Sequence, residues 1–310
     1  MLGPMLAPPA IAPGAEPQPR ILFRIPEHDL YPESIAYDPV SGDYFLGSMS
    51  HSRILRIRPD GSYRDFVTPP LPGLQGAIGM KVDAGRRRLW VCTGRYTMFA
   101  GEQGAPPRTG ILLFDLDDGT VLGQWLMDQP SPGHIFNDLA IASDGSAYAT
   151  TTLFGRVYRV TPESDGLELV LETPDRHNNG ISFDPSGRHL FLTVDRLISR
   201  LDLETRELVA LEDPNEAALG TDGLYFHDGS LIAVKPRALE VDRLRLDPSR
   251  SAIVGRDVLT AKDPGYAYPT TGVMVGDTLV FVGTSFADRP RTAGRRAQHG
   301  DVLIYALPIE

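Results

Sequence analysis

A single cysteine in 310 residues, Cys92, excludes an intrachain disulfide and reads as a buried, unreactive thiol in the segment LWVCTG. Sustained 3.6-residue periodicity is missing, which excludes a helical bundle. No apolar run approaches the length of a membrane-spanning helix. Residues 1–20 hold six prolines, no basic residue before Arg20 and no apolar stretch long enough for a signal sequence. They read as a disordered tail, at most a leader remnant, ahead of a folded body at 21–310. Positive charge is also short. The 30 Lys and Arg against 40 Asp and Glu leave a net charge of -10, which argues against nucleic acid or an anionic membrane as partner and favours cations. The expected molecule is soluble, cytoplasmic in preference to periplasmic or secreted, and a monomer or weak dimer.

What the chain has in quantity is turn formers, 31 Gly and 27 Pro, and one motif repeated six times. The copies are ESIAYD from Glu33, IGMKVD from Ile78, NDLAIA from Asn137, NGISFD from Asn179, DGLYFH from Asp222 and TGVMVG from Thr271. Successive copies lie 45, 59, 42, 43 and 49 residues apart, the length of one four-stranded propeller blade. Hairpin turns follow each copy: DPVSGD at 38–43, DAGRRR at 83–88, SDGS at 143–146, DPSGRH at 184–189, HDGS at 227–230 and VGDT at 275–278. The fold class is therefore all-β, a six-bladed β-propeller. VLIYALP at the C-terminus leaves blade six one strand short, and ILFRI at 21–25 has no blade of its own, so an N-terminal strand should complete the last blade and close the ring. Two long connections, Gly94–Gly110 and Thr284–Gly300, are expected on the face where inner strands begin.

Inner strands line the channel of a propeller, so the first motif residues form a ring: Glu33, Ile78, Asn137, Asn179, Asp222 and Thr271. Four of these offer a carboxylate or amide oxygen at one level, with no basic residue among the six. That is the donor composition of a hard-cation site, calcium first, with Mg2+, Mn2+ or Zn2+ as alternatives. Taken singly, each Asn or Asp has a plain structural reading as a turn former. Carboxylates facing each other across a narrow channel nevertheless call for a proton or a metal.

The motifs PES at 32–34, FND at 136–138, NNG at 178–180 and TDG at 221–223, in that order, resemble the SMP-30/gluconolactonase/LRE family of six-bladed propellers, over about residues 21–308. The resemblance implies a divalent metal held by Glu33, Asn179 and Asp222, with Asn137 in or beside its coordination sphere. It also implies Asp222 as general base in hydrolysis of a lactone or ester. Sugar-lactone members tend to carry Arg two residues before the blade-three Asn. This chain has Ile135 there, so the expected substrate is a small molecule less polar than a sugar acid.

By position, His134 and His177, just before their ring asparagines, are the candidates for proton transfer beside Asp222 and Asn137. His51, Asp195, Lys235 and Arg237 fall in loops after second strands, and Phe154, Tyr96 and Tyr268 could wall a pocket. Each has an ordinary reading as a loop or packing residue. Ser48 and Ser50 near His51 lack a nucleophile elbow, and the arginine runs at 86–88 and 289–296 read as solvated surface. Two other readings stay open: a non-catalytic propeller with structural calcium, and a non-hydrolytic enzyme of the strictosidine-synthase-like type.

Overall fold

The computed structural model describes residues 18–96, 107–129, 131, 133–173, 177–287 and 299–309. Most of the expected tail, the middles of both long connections and the 289–296 arginine run lie outside the described residues.

Six antiparallel sheets of four strands each make the six expected blades. The inner strands are Pro32–Tyr37, Ala77–Asp83, Phe136–Ile141, Asn178–Phe183, Leu224–His227 and Gly272–Val275. In blade six the outermost strand is Arg20–Ile25, which pairs with Val302–Pro308 through Ile21↔Tyr305 and Ile25↔Val302. The closure read from the unmatched terminal segments is thus present.

Alternation along each strand sends successive side chains toward opposite neighbours. In Tyr44–Ser48, Leu46 packs with Phe23, Ile25, Val282 and Ile304 of blade six, whereas Phe45 packs with Leu89, Val91 and Phe114 of blade two. Each junction between neighbouring blades holds its own apolar cluster. Burying one such side chain contributes about 2 kcal/mol. Among the described residues no helix is long and apolar enough to cross a membrane.

On the face away from the strand starts, the arginines read as solvated surface act as staples between blades. The turn at Ala84–Arg86 is 3-10, and Arg87 follows it in the left-handed region (φ 53°). This conformation aims its guanidinium at blade one, where Nη1 donates to Asp38 Oδ1 (2.8 Å) and Oδ2 (2.9 Å). Nη2 donates to Asp117 Oδ1 at 2.5 Å, and Arg86 Nη2 donates to the Ser143 carbonyl of blade three at 3.0 Å. Asp38 is fully buried. Burial pushes its carboxyl up, but hydrogen bonds from Ser41, Arg87 and the Val40 N–H outweigh that and hold it below the usual range. Arg87→Ala strands part of a buried charge and is expected to cost about 2 kcal/mol, read as a lower urea midpoint. Arg88→Ala, the control one residue on, should stay within about 0.5 kcal/mol.

Candidate metal centre in the central channel

The ring residues sit on bulges. In blades one to four the inner strand spends one extra residue against its partner: Pro32↔Ser48 is followed by Ile35↔Leu46, Ala77↔Thr93 by Met80↔Val91, Phe136↔Thr151 by Leu139↔Ala149, and Asn178↔Val194 by Ile181↔Leu192. Blade five does the same, since Asp222 N–H donates to the Val234 carbonyl and Val234 N–H to the Gly223 carbonyl. A bulge frees two residues from the ladder and re-aims the first side chain. Glu33, Asn137, Asn179 and Asp222 are all such first residues.

The small second residue of the motif has a steric cause. A Cβ on Gly79 would lie 2.4 Å from the Asn137 carbonyl oxygen, and one on Gly180 would lie 2.2 Å from that of Asp222. Neighbouring inner strands are therefore almost in contact. Hydrogen bonds lock the blades together at the channel: Gly180 N–H donates to the Asp222 carbonyl (3.0 Å), Thr150 Oγ1 of the second strand in blade three to the Asn179 carbonyl (2.6 Å) and Thr270 Oγ1 to the Glu33 carbonyl (2.7 Å). Thr271 Oγ1 also donates to Glu33 O (2.9 Å), and Ile78 is a buried apolar side chain. Ile78 therefore offers no oxygen, and in blade six the first bulge residue is Thr270 rather than the expected Thr271, since Thr270 N–H donates to the Val282 carbonyl and Val282 N–H to the Thr271 carbonyl.

The other four fit a hard cation. Glu33 Oε2, Asn137 Oδ1 and Asn179 Oδ1 are buried without a hydrogen-bond partner among the described residues, a costly condition unless something electropositive meets them. The Asn179 amide donates to Asp222, which fixes its own oxygen as the free end. Desolvation, then the nearby charge of Asp138, push Asp222 up to about 7 against that hydrogen bond. Glu33 is raised well above its ordinary value by burial, then by Asp222 and Asp138, with Lys81 opposing. No three His, Cys, Asp or Glu side chains among the described residues are placed to hold an ion by themselves. A ligand set in this channel would have to draw on the two amide oxygens as well.

Sequence reasoning missed Asp138 and Lys81. Asp138 occupies a position that is Ser or Gly in every other copy, is fully buried, and accepts from Lys81 Nζ at 3.0 Å. A basic group thus does enter the channel, three residues beyond Ile78. The out-of-pattern Asp in NDLAIA and the Lys in IGMKVD were the available signals.

The proton-transfer candidates are less closely tied to the ring. His134 is fully buried, edge-on to Phe154 at 5.1 Å, with neither ring nitrogen hydrogen-bonded among the described residues. Burial, then Arg156, lower its pKa and keep it neutral. His177 is exposed, its backbone N–H donating to Asp195 Oδ1 at 2.8 Å. Tyr96 is near the ring: burial, then the charges of Glu33 and Asp222, then Tyr268, hold its phenol well above the usual range. Lys235 is no loop residue. It ends a strand, buried against Asp242 Oδ2 at 2.6 Å. Ser48 and Ser50 donate to the carbonyls of Leu30 (2.6 Å) and Asp29 (2.7 Å), while His51 Nε2 faces Asp29 Oδ2 at 3.3 Å, so no nucleophile and base are assembled there.

Four aromatic residues near the starts of inner strands or the ends of second strands, Tyr31, Phe154, Tyr268 and Phe286, adopt positive φ of 46, 67, 62 and 58°. For bulky side chains this costs on the order of 1–3 kcal/mol each and marks segments held in place by their surroundings. That strain lies on the strand-start face.

No protein-family model matches the chain, and no curated protein matches it by sequence. Solved structures do. A gluconolactonase from Xanthomonas campestris is 17% identical, with 99% of each chain covered and a TM-score of 0.61. A calcium-binding regucalcin from Agrobacterium tumefaciens is 17% identical over 94% of each chain (TM-score 0.61). An aldose sugar dehydrogenase from Streptomyces coelicolor, solved with PQQ bound, is 17% identical over 96% of this chain and 100% of its own (TM-score 0.62). At such identity the likeness speaks for architecture, and the architecture this chain shares with gluconolactonase and regucalcin is the six-bladed β-propeller.

Proposed function

We propose that the protein is a divalent-metal-dependent hydrolase of a lactone or ester, with Glu33, Asn137, Asn179 and Asp222 holding the ion. The observation that carries this reading is the set of buried, unpartnered oxygens on Glu33, Asn137 and Asn179, together with the Asp222 carboxylate that accepts from the Asn179 amide N–H. An all-oxygen set containing two amides suits calcium first, with Mg2+, Mn2+ or Zn2+ behind it. The bound ion would supply Lewis-acid polarisation of the substrate carbonyl. Asp222, which titrates near neutrality without metal, is the base that takes the proton from water, and Asn179 orients it. The Asn137 amide can donate to the oxygen on which negative charge builds. His134, neutral and buried beside the blade-three strand, and His177, exposed beside blade four, are the reserves for moving that proton onward.

The substrate is a small molecule less polar than a sugar acid. Ile135, where a sugar-contacting Arg would stand, is buried in the core between blades two and three. Phe154, Leu197 and Leu219 near the same face remain 39, 44 and 38% exposed. The alternative, calcium as a purely structural plug, differs in predicting metal-dependent stability without metal-dependent turnover.

Chelation tests the reading. Turnover of aryl esters or alkyl lactones should vanish in EDTA and return with Ca2+. Stability should follow with a defined sign. Without metal, Asp222 and Glu33 stay protonated up to a pH at which the unfolded chain has already released those protons. The native state then binds more protons than the unfolded state between roughly pH 4 and 7, and stability falls as pH rises through that window. Ca2+ should therefore raise the melting temperature more at pH 8 than at pH 5. Equal melting curves with EDTA and Ca2+ at both pH values would remove the metal.

A further inference from the structure

Lys81 stands where, by strand register, the other blades carry Ala36, Ala140, Ser182, Tyr225 and Val273, none of them charged. Its Nζ lies 3.0 Å from Asp138 Oδ1 on blade three and 5.8 Å from the ring centroid of Tyr225 on blade five. The side chain thus reaches from blade two to two other blades within the channel. Asp138 follows Asn137 directly, and its Oδ2 is buried with no hydrogen-bond partner among the described residues.

We infer that Lys81 sets the charge of the channel: its ammonium balances Asp138, so that Glu33 and Asp222, both ionised once an ion is bound, make a site of net charge about -2 that is matched to a divalent ion and discriminates against trivalent ones. Three carboxylates and one ammonium make that count. The inference rests on the metal reading above. Repulsion between the ammonium and a bound ion grows linearly with the ion's charge, and partial burial limits its screening by solvent. Removing the ammonium must then strengthen trivalent binding more than divalent binding, in a logarithmic ratio of about three to two. An ammonium that served only to fill space would show no such ratio.

The test is a titration of purified protein with Ca2+ by calorimetry and with Tb3+ by tyrosine-sensitised luminescence. Lys81→Met should tighten Ca2+ by about tenfold and Tb3+ by about thirtyfold. Lys81→Gln, which can still donate to Asp138, should give the same pattern and serves if the methionine variant does not fold. Lys81→Arg, which keeps the charge, should match the wild type. Unchanged or weaker binding in both neutral variants would overturn the inference, as would an arginine variant that shifts like the methionine one. A wild type that binds neither ion would overturn the metal reading itself, whereas wild-type binding with insensitive variants sinks only the role of Lys81.

Discussion

Asp222→Asn is expected to lower kcat for ester or lactone hydrolysis by about 10³-fold at saturating Ca2+, the usual scale for loss of a positioned base. The substitution is nearly isosteric but takes away one charge, so Ca2+ affinity should also weaken by about 10- to 100-fold, on the scale seen when a metal site's support is altered. Assaying at saturating ion separates the two contributions: activity restored by excess Ca2+ would make Asp222 a ligand only, and a persistent deficit makes it the base. An internal control comes from the electrostatics. Asp222 is raised to about 7 by desolvation and by the Asp138 charge, so in EDTA at pH 8 the wild type holds a disfavoured buried carboxylate. The neutral amide relieves it, and the metal-free variant should melt higher than the metal-free wild type. A variant inactivated by misfolding would melt lower. Unchanged turnover would take Asp222 out of the mechanism.

The parts of this molecule that repeat were legible in its sequence, and the parts that break the repeat were not. Ring residues recur at blade spacing because the bulge that presents Glu33, Asn137, Asn179 and Asp222 is rebuilt in each blade. The closing strand was legible as a remainder, since a blade lacking one strand and a strand lacking a blade have one economical solution. Lys81 and Asp138 escaped because each is a single departure from its column, and their pairing depends on the approach of two blades that sequence spacing does not specify. Arg87 read as solvated surface because its reach to Asp38 depends on the left-handed backbone of one turn residue. Catalysis is harder still to read. Propellers of this size include a lactonase, a calcium-binding protein and a sugar dehydrogenase, so the choice among them rests on the channel's donor atoms.

Gly180→Ala is expected to be the most damaging single methyl group in the channel. The added Cβ would stand 2.2 Å from the Asp222 carbonyl oxygen, 2.8 Å from the Leu224 nitrogen and 2.9 Å from the Leu224 Cβ. Two of these atoms are backbone and the third is fixed to it, so no flexible side chain can turn aside. The backbone of Gly180 is not in the left-handed region, and the penalty is therefore steric. Relief requires blades four and five to separate at the channel, at an expected cost of about 3 kcal/mol, the upper end for overpacking. That separation stretches the Gly180 N–H bond to Asp222 and draws Asn179 away from the carboxylate it orients. Ca2+ affinity and turnover should thus fall together with the melting temperature. Gly166→Ala, whose Cβ meets nothing within 4 Å, is the control and should leave all three unchanged. Full Ca2+ affinity in Gly180→Ala would mean that Asn179 and Asp222 need not be held together to form the site, and the ring would lose its claim to be a preorganised metal centre.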